Sequence, residues 1–274
     1  MRVRVGGLSG VCLAAAVLVA SCGGQQTSSQ SVSTGAASTA PTAKGTGQKI
    51  DPATTATLSG KVIVDGALPT NVTIKMNADP VCARETSGTT QTMETYVVGQ
   101  DGKSLANVFV YVKDGLDKYA FDTPTEPARI DQKDCRYHPH VFGVQVGQPL
   151  EILNSDPTLH NIHAVAKNNR EFNNGQPLQG MKTTHTFTTQ EVMVPFKCDV
   201  HGWMNAYVGV LPHPFFAVTD ASGGFSLKGL PPGTYTIEAW HERLGTSTQT
   251  VTLGEKDSKE IGFTFKAPAP AATN

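Results

Sequence analysis

Val194-Pro195-Phe196-Lys197-Cys198-Asp199-Val200-His201-Gly202-Trp203-Met204 places a cysteine, a histidine three residues later and a methionine three beyond that between two strand-like runs. A loop held at both ends by strands can turn all three side chains towards one point. Upstream, after another strand-like run, comes Asn154-Ser155-Asp156-Pro157-Thr158-Leu159-His160-Asn161-Ile162-His163. The combined set is one thiolate, two imidazoles and a thioether. Soft sulfur with imidazole selects copper among the first-row metals, and two histidines, a cysteine and a weak axial methionine make a blue-copper electron-transfer site. Taken singly, a cysteine is a small buried hydrophobe and a methionine is core filler. Their order and spacing carry the reading.

The surrounding pattern is strands and turns. Leu58 to Val64 alternates before Asp65-Gly66, Asn107 to Val112 before Asp114-Gly115, and Val141 to Val146 ends at Gly147-Gln148-Pro149. Further runs are Ala206–Val210, Phe215–Thr219, Phe225–Lys228, Thr234–Trp240, Thr246–Leu253 and Glu260–Phe265. Period-2 runs at this spacing predict an all-β sandwich or barrel. The 274 residues include 27 Gly and 17 Pro, only 16% are charged, and the formal net charge is −1. That balance leaves no basic footprint for nucleic acid and argues against coiled coils and helical repeats.

The ligand segments resemble the cupredoxins, and most of all the amicyanin and plastocyanin branch. The two-residue gap between His201 and Met204 is the short, amicyanin-like loop. Tyr137-His138-Pro139-His140-Val141 with Val146-Gly147 is similar to the family's aromatic-x-Pro strand pattern. The resemblance covers about residues 129–212. It implies a Greek-key β-sandwich holding one type 1 copper on His160, Cys198, His201 and Met204, with His160 preferred to His163 because it directly precedes Asn. His138 and His140 read as exposed strand or loop histidines; a second metal site with His163 or His213 is the alternative. His185 and His241 have no motif. Trp203 can shield the metal, meet a partner or simply pack. The ligand loop has no second cysteine and no histidine flanking Cys198, so the chain departs from binuclear copper sites and multicopper oxidases. No open metal position for a substrate is visible, and no enzymatic activity is expected.

A second resemblance follows the copper loop. Phe216 to Ile237, with Asp220-Ala221-Ser222-Gly223-Gly224 and Leu230-Pro231-Pro232-Gly233, is similar to the carboxypeptidase-regulatory-like, transthyretin-like β-sandwich. Pieces of that family's first half stand before the cupredoxin segment, as Gly60-Lys61-Val62 and Gly102-Lys103-Ser104-Leu105-Ala106-Asn107-Val108. The implied arrangement is one regulatory-like sandwich, in two halves at 57–115 and 214–266, with the cupredoxin domain at 116–213 inserted between them. Domains in tandem are the alternative.

At the N-terminus, Arg2 and Arg4 precede the apolar run Val11–Ala20, which is too short to span a bilayer. With Val19-Ala20-Ser21-Cys22 it resembles a bacterial lipoprotein signal, residues 1–21, whose cleavage leaves Cys22 to carry lipid. Residues 22–56 read as a disordered Ser/Thr/Gly/Gln linker with a reach of roughly 30 Å, and residues 267–274 as a disordered tail. Of five cysteines, Cys12 leaves with the signal and Cys22 is acylated. In an oxidising compartment an odd remainder needs an account. The simplest is a Cys82–Cys135 disulfide with Cys198 kept apart, although spacing leaves the other pairings open.

These readings describe a lipid-anchored protein of the bacterial cell envelope, periplasmic or at the surface, that passes single electrons between redox partner proteins through one copper. Copper delivery, storage or sensing is the second reading. A surface-binding β-sandwich lipoprotein with a secondary copper site is the third. No small-molecule substrate is evident.

Overall fold

The computed structural model describes residues 47–269. The signal segment, Cys22 and most of the linker lie outside the described residues. The chain begins with β1 (Ala56–Asp65), a 3-10 turn (Met76–Ala78), a short helix α1 (Pro80–Glu85) and β2 (Phe109–Asp114). Next come β3 (Ala128–Lys133), β4 (Arg136–His138), β5 (Val141–Gln145), β6 (Pro149–Asn154), β7 (His160–Ala164), β8 (Phe172–Gln176), β9 (Lys182–Thr186), β10 (Glu191–Lys197) and β11 (Asn205–Leu211). It ends with β12 (Phe216–Val218), β13 (Gly224–Leu230), β14 (Gly233–His241), β15 (Gly245–Leu253) and β16 (Ser258–Lys266). The fold is all-β apart from the two short helical pieces, and no helix among the described residues is long and apolar enough to cross a membrane.

Four sheets result. Two of them, ordered β13-β1-β16 and β12-β2-β14-β15, mix strands from both ends of the described chain. They enclose a core that includes Leu58, Val62, Val110, Leu227, Tyr235, Ile237 and Phe263. The other two, β5-β11-β10-β7-β8 and β4-β3-β6-β9, use only strands between residues 128 and 211. Their core includes Ile130, Tyr137, Ile152, Phe196, Val208 and Val210, together with Cys198 and Met204. One sandwich therefore lies, in sequence, between two halves of another.

β2 and β11 explain how the sandwiches meet. A strand buried on both faces loses the polar half of its alternation. Val108, Val110 and Val112 face the first core, while Phe109 and Tyr111 pack with Val141, Met193 and Leu211 in a cluster between the sandwiches. The partner strands make room with glycine. A Cβ on Gly209 would sit 2.4 Å from the Phe109 ring, and one on Gly143 2.4 Å from the Phe216 ring. The two rings stack with centroids 5.6 Å apart.

Four parts of the chain differ from the sequence reading. Residues 47–56, assigned to the linker, lie against the sandwich. Gln48 N–H donates to Lys118 O at 2.7 Å and Ile50 packs on the first core, because an apolar side chain there has a surface to cover. Leu116, Tyr119 and Phe121, assigned to the inserted domain, pack on that same first core. Residues 69–97, within the stretch assigned to the first half of the sandwich, form an excursion with α1 and the isolated bridge of Thr73 to Thr92, while Leu68 and Val98 on either side pack on the first core. Ala267, assigned to the tail, donates its N–H to Asp65 O at 2.8 Å.

Candidate metal centre

β10 ends at Lys197, and the chain turns through Cys198–Met204 before re-entering the same sheet as β11. The turn is closed by main-chain bonds, with Cys198 N–H donating to Met204 O at 3.1 Å and Met204 N–H to His201 O at 2.9 Å. His201 N–H donates to Cys198 Sγ at 3.4 Å, which fixes the sulfur from within its own loop. His160 opens β7, the neighbour of β10. Asn161 ties the two segments: its Oδ1 accepts from Asp199 N–H at 2.8 Å and lies 3.2 Å from Cys198 Sγ.

His160, Cys198 and His201 converge, with one ligand atom from each within 4.8 Å of the others. His160 Nδ1 is 2.9 Å from His201 Nδ1, and His201 Nδ1 is 3.8 Å from Cys198 Sγ. Relative exposure is 0% for His160, 1% for Met204 and 2% for Cys198 and His201, so water does not reach the donors. Met204 lies in the same core as Cys198.

Each imidazole is held at its far nitrogen by a carboxylate. His160 Nε2 is 2.8 Å from Asp156 Oδ2, and His201 Nε2 is 3.1 Å from Asp79 Oδ2. A carboxylate only accepts, so both Nε2 atoms carry protons. In the neutral rings both Nδ1 atoms are then bare lone pairs, facing each other at 2.9 Å beside a sulfur. Two buried acceptors at that distance repel unless a proton or a metal cation lies with them. The donor set of two imidazole nitrogens and a thiolate, with Met204 in the same core as the cysteine, therefore fits a soft metal ion.

The electrostatics agree. Burial opposes ionisation of Cys198, but hydrogen bonds from His160 and His201 outweigh it and bring the thiol down to about 6. Burial also opposes charge on His160, yet hydrogen bonds to Asp156 and Cys198 hold it up at about 8. Burial pushes Asp79 and Asp156 up, while His201 and His160 respectively, with main-chain N–H donors, keep both below the usual carboxylate range.

The other histidines are not gathered into a metal cluster among the described residues. His140 is buried, contrary to the exposed position expected: its Nε2 is 2.6 Å from Glu242 Oε1 and its Nδ1 3.1 Å from Asn205 O, where the two sandwiches meet. His138 is exposed beside Lys133 O. His163 bridges Glu171 and Asp199. His213 reaches Val112 O. Trp203 packs on His201 with centroids 5.1 Å apart and donates Nε1–H to Cys135 O at 3.0 Å. Cys82 and Cys135 are disulfide-bonded, and Cys198 is the free cysteine among the described residues.

Sequence reasoning missed Asp156, Asp79 and the nearness of the disulfide. Asp156 lies four residues before His160 in the quoted segment, so a role for it was within reach. Asp79 is 122 residues from His201. Its one local mark is Asp79-Pro80, the pairing of an N-cap residue with proline at the first helical position.

A family model for the carboxypeptidase regulatory-like domain matches residues 205–266, which takes in β11 to β16. No curated protein matches the chain in sequence. Among solved structures, the chain is similar to a Cu-containing nitrite reductase from Thermus scotoductus SA-01, at 19% identity and TM-score 0.30, over 34% of this chain and 24% of that one. The chain thus spans about a quarter of that protein. It is also similar to a mutant of amicyanin in the Cu(I) state, at 22% identity and TM-score 0.28, over 32% of this chain and 86% of that one. A purple cupredoxin from Nitrosopumilus maritimus matches at 25% identity and TM-score 0.26, over 30% of this chain and 98% of that one.

Proposed function

We propose that this protein is a single-electron carrier that holds one type 1 copper on His160, Cys198, His201 and Met204. The carrying observation is the meeting of two Nδ1 atoms and Cys198 Sγ in a buried pocket, with both Nε2 atoms tied to carboxylates. Copper bound there supplies a one-electron couple. The protein's share is to hold the donors still. Asp156 and Asp79 fix the planes of the two rings, His201 N–H and Asn161 fix the sulfur, and burial against the second core excludes water. A donor set that cannot rearrange keeps its geometry in both oxidation states, which favours electron transfer over substrate chemistry. Delivery or storage needs donors that a partner can reach, and these four are buried.

The proposal extends to the setting. The Arg2 to Cys22 pattern supports lipid attachment at Cys22, and the linker supports a tether to a membrane of the bacterial cell envelope, within reach of redox partner proteins. The test is to add one equivalent of Cu(II) to the chain from Cys22 onward, then record the visible spectrum and voltammetry. An intense thiolate band, one copper per chain and a reversible one-electron couple are expected. A colourless or irreversible complex overturns the reading. Met204→Leu should keep the band and shift the potential, because the axial ligand tunes it. Loss of copper in that variant would show that Met204 is more than a weak axial ligand.

The ionisation pattern sets a pH dependence. Cys198 is depressed to about 6 and His160 is raised to about 8, so between these values the metal-free pair is thiolate and imidazolium. Metal binding then releases the His160 proton, and below pH 6 the Cys198 proton as well. Cu(II) affinity measured by competition with a chelator should fall about tenfold per pH unit from 8 to 6, and more steeply below. A flat profile from 8 to 6 would show that His160 is already neutral there.

A further inference from the structure

The ligands all belong to the sandwich built from residues 128–211, but one of the groups holding them does not. Asp79 comes from the excursion between β1 and β2. It is the N-cap of α1: Oδ1 accepts Val81 N–H at 2.7 Å and Cys82 N–H at 3.2 Å. That leaves Oδ2 for His201 Nε2 at 3.1 Å and Thr158 Oγ1 at 3.2 Å. The helix cap thus fixes the carboxylate's rotation and aims its second oxygen at the ligand ring.

The helix is itself tied down. Cys82, in its first turn, is bonded to Cys135, and Cys82 Sγ lies 3.7 Å from His201 Nε2. On the other side of the disulfide, Asp134 N–H and Cys135 N–H donate to Asp156 at 2.9 and 2.8 Å. Asp156 is the carboxylate that holds His160. A closed circuit results, from His201 through Asp79, α1, the disulfide and Asp156 to His160. Arg136 adds a second tie to the excursion, 2.9 Å from Glu94 and 2.6 Å from Thr92 O.

We propose that Asp79 is a positioning residue for His201, supplied by the excursion from the regulatory-like sandwich and kept in place by the Cys82–Cys135 disulfide. An imidazole bound to metal through Nδ1 can still swing about its Cβ–Cγ bond, and a charge-assisted hydrogen bond at Nε2 opposes the swing and strengthens the ring as a donor. The metal site of one sandwich is in this way completed by the other. The proposal rests on the copper reading above.

Asp79→Ser separates the residue's two roles. Serine is a good N-cap, so α1 keeps its start, but the shorter side chain does not reach His201. Asp79→Asn keeps the cap through its amide oxygen but turns an amide NH2, a donor, towards His201 Nε2–H, so the acceptor for the ring is lost together with the charge. The expected result for Asp79→Ser is a disulfide-bonded, folded protein whose copper affinity falls about 10–100-fold, as is usual when a group hydrogen-bonded to a ligand is removed. Its potential rises, because a weaker donor favours Cu(I). Asp79→Asn, which loses the same acceptor, should show a similar fall in affinity and a similar rise in potential. Wild-type affinity and potential in Asp79→Ser overturn the proposal. A copper-free readout stands apart from the copper reading: nitrogen-15 spectra of the metal-free wild type should show His201 as the Nε2–H tautomer, and Asp79→Ser should show a mixture. An unchanged tautomer in Asp79→Ser counts against the proposal even if wild type binds no copper.

Discussion

Cys198→Ala is expected to abolish the visible band and to cost more copper affinity than any other single substitution. Cys198 is the one anionic donor in the set, it is buried, and His201 N–H and Asn161 are arranged around its sulfur. Without it, two neutral imidazoles and a thioether remain, and no anionic donor is left to bind Cu(II). The loss should exceed the about 10–100-fold that follows removal of a group merely hydrogen-bonded to a ligand. The substitution removes one small atom from a core of large side chains, so the metal-free protein should fold as before. Visible spectroscopy and copper titration beside a circular dichroism spectrum separate these effects. A persisting band in Cys198→Ala would place the thiolate elsewhere and sink the proposed site.

Replacing both Cys82 and Cys135 by Ser is expected to be the largest stability change available from outside the cores. The two are separated by 53 residues, and chain-entropy arithmetic for a loop of that size gives about 4 kcal/mol. The local consequence should be greater than that number suggests. Residues 69–97 contain a six-residue helix and an isolated bridge, with Ile74, Met76 and Met93 packed around the disulfide. Once the bond is lost, few interactions return this segment to its place. Denaturant unfolding should show the loss of stability, and hydrogen exchange should show α1 opening well before either sandwich. A change under about 1 kcal/mol, with α1 still protected, would mean that packing alone holds the excursion and that the unfolded chain gains little freedom.

The sequence pattern and the structure part company where contacts become long-range. The strand runs were legible because half-buried strands alternate, and Leu58 to Val64 does so against one core. The excursion was not: its turns and bridges leave no period, and its place depends on a disulfide and on Arg136. His140 was expected to be exposed, since nothing beside it announces that Glu242, 102 residues on, lies across the interface. Residues 47–56 looked like more of a polar linker because the features that order them, Ile50 on a distant core and main-chain bonds between Gln48 and residues 118–120, leave no local pattern.

The sequence by itself determined the chemistry on offer: which donors exist, that three of them share one loop, and that strands flank it. Those are local properties, carried by residue type and by spacings of a few positions. Only the tertiary structure decided how that chemistry is held. It turned both Nδ1 atoms inward by supplying a carboxylate to each Nε2, and it drew one of those carboxylates from 122 residues away. The physical reason is that the orientation of a buried imidazole is set by what its second nitrogen meets. In this protein that partner arrives by the pairing of Cys82 with Cys135 and by the packing of one sandwich on another, which no local spacing encodes.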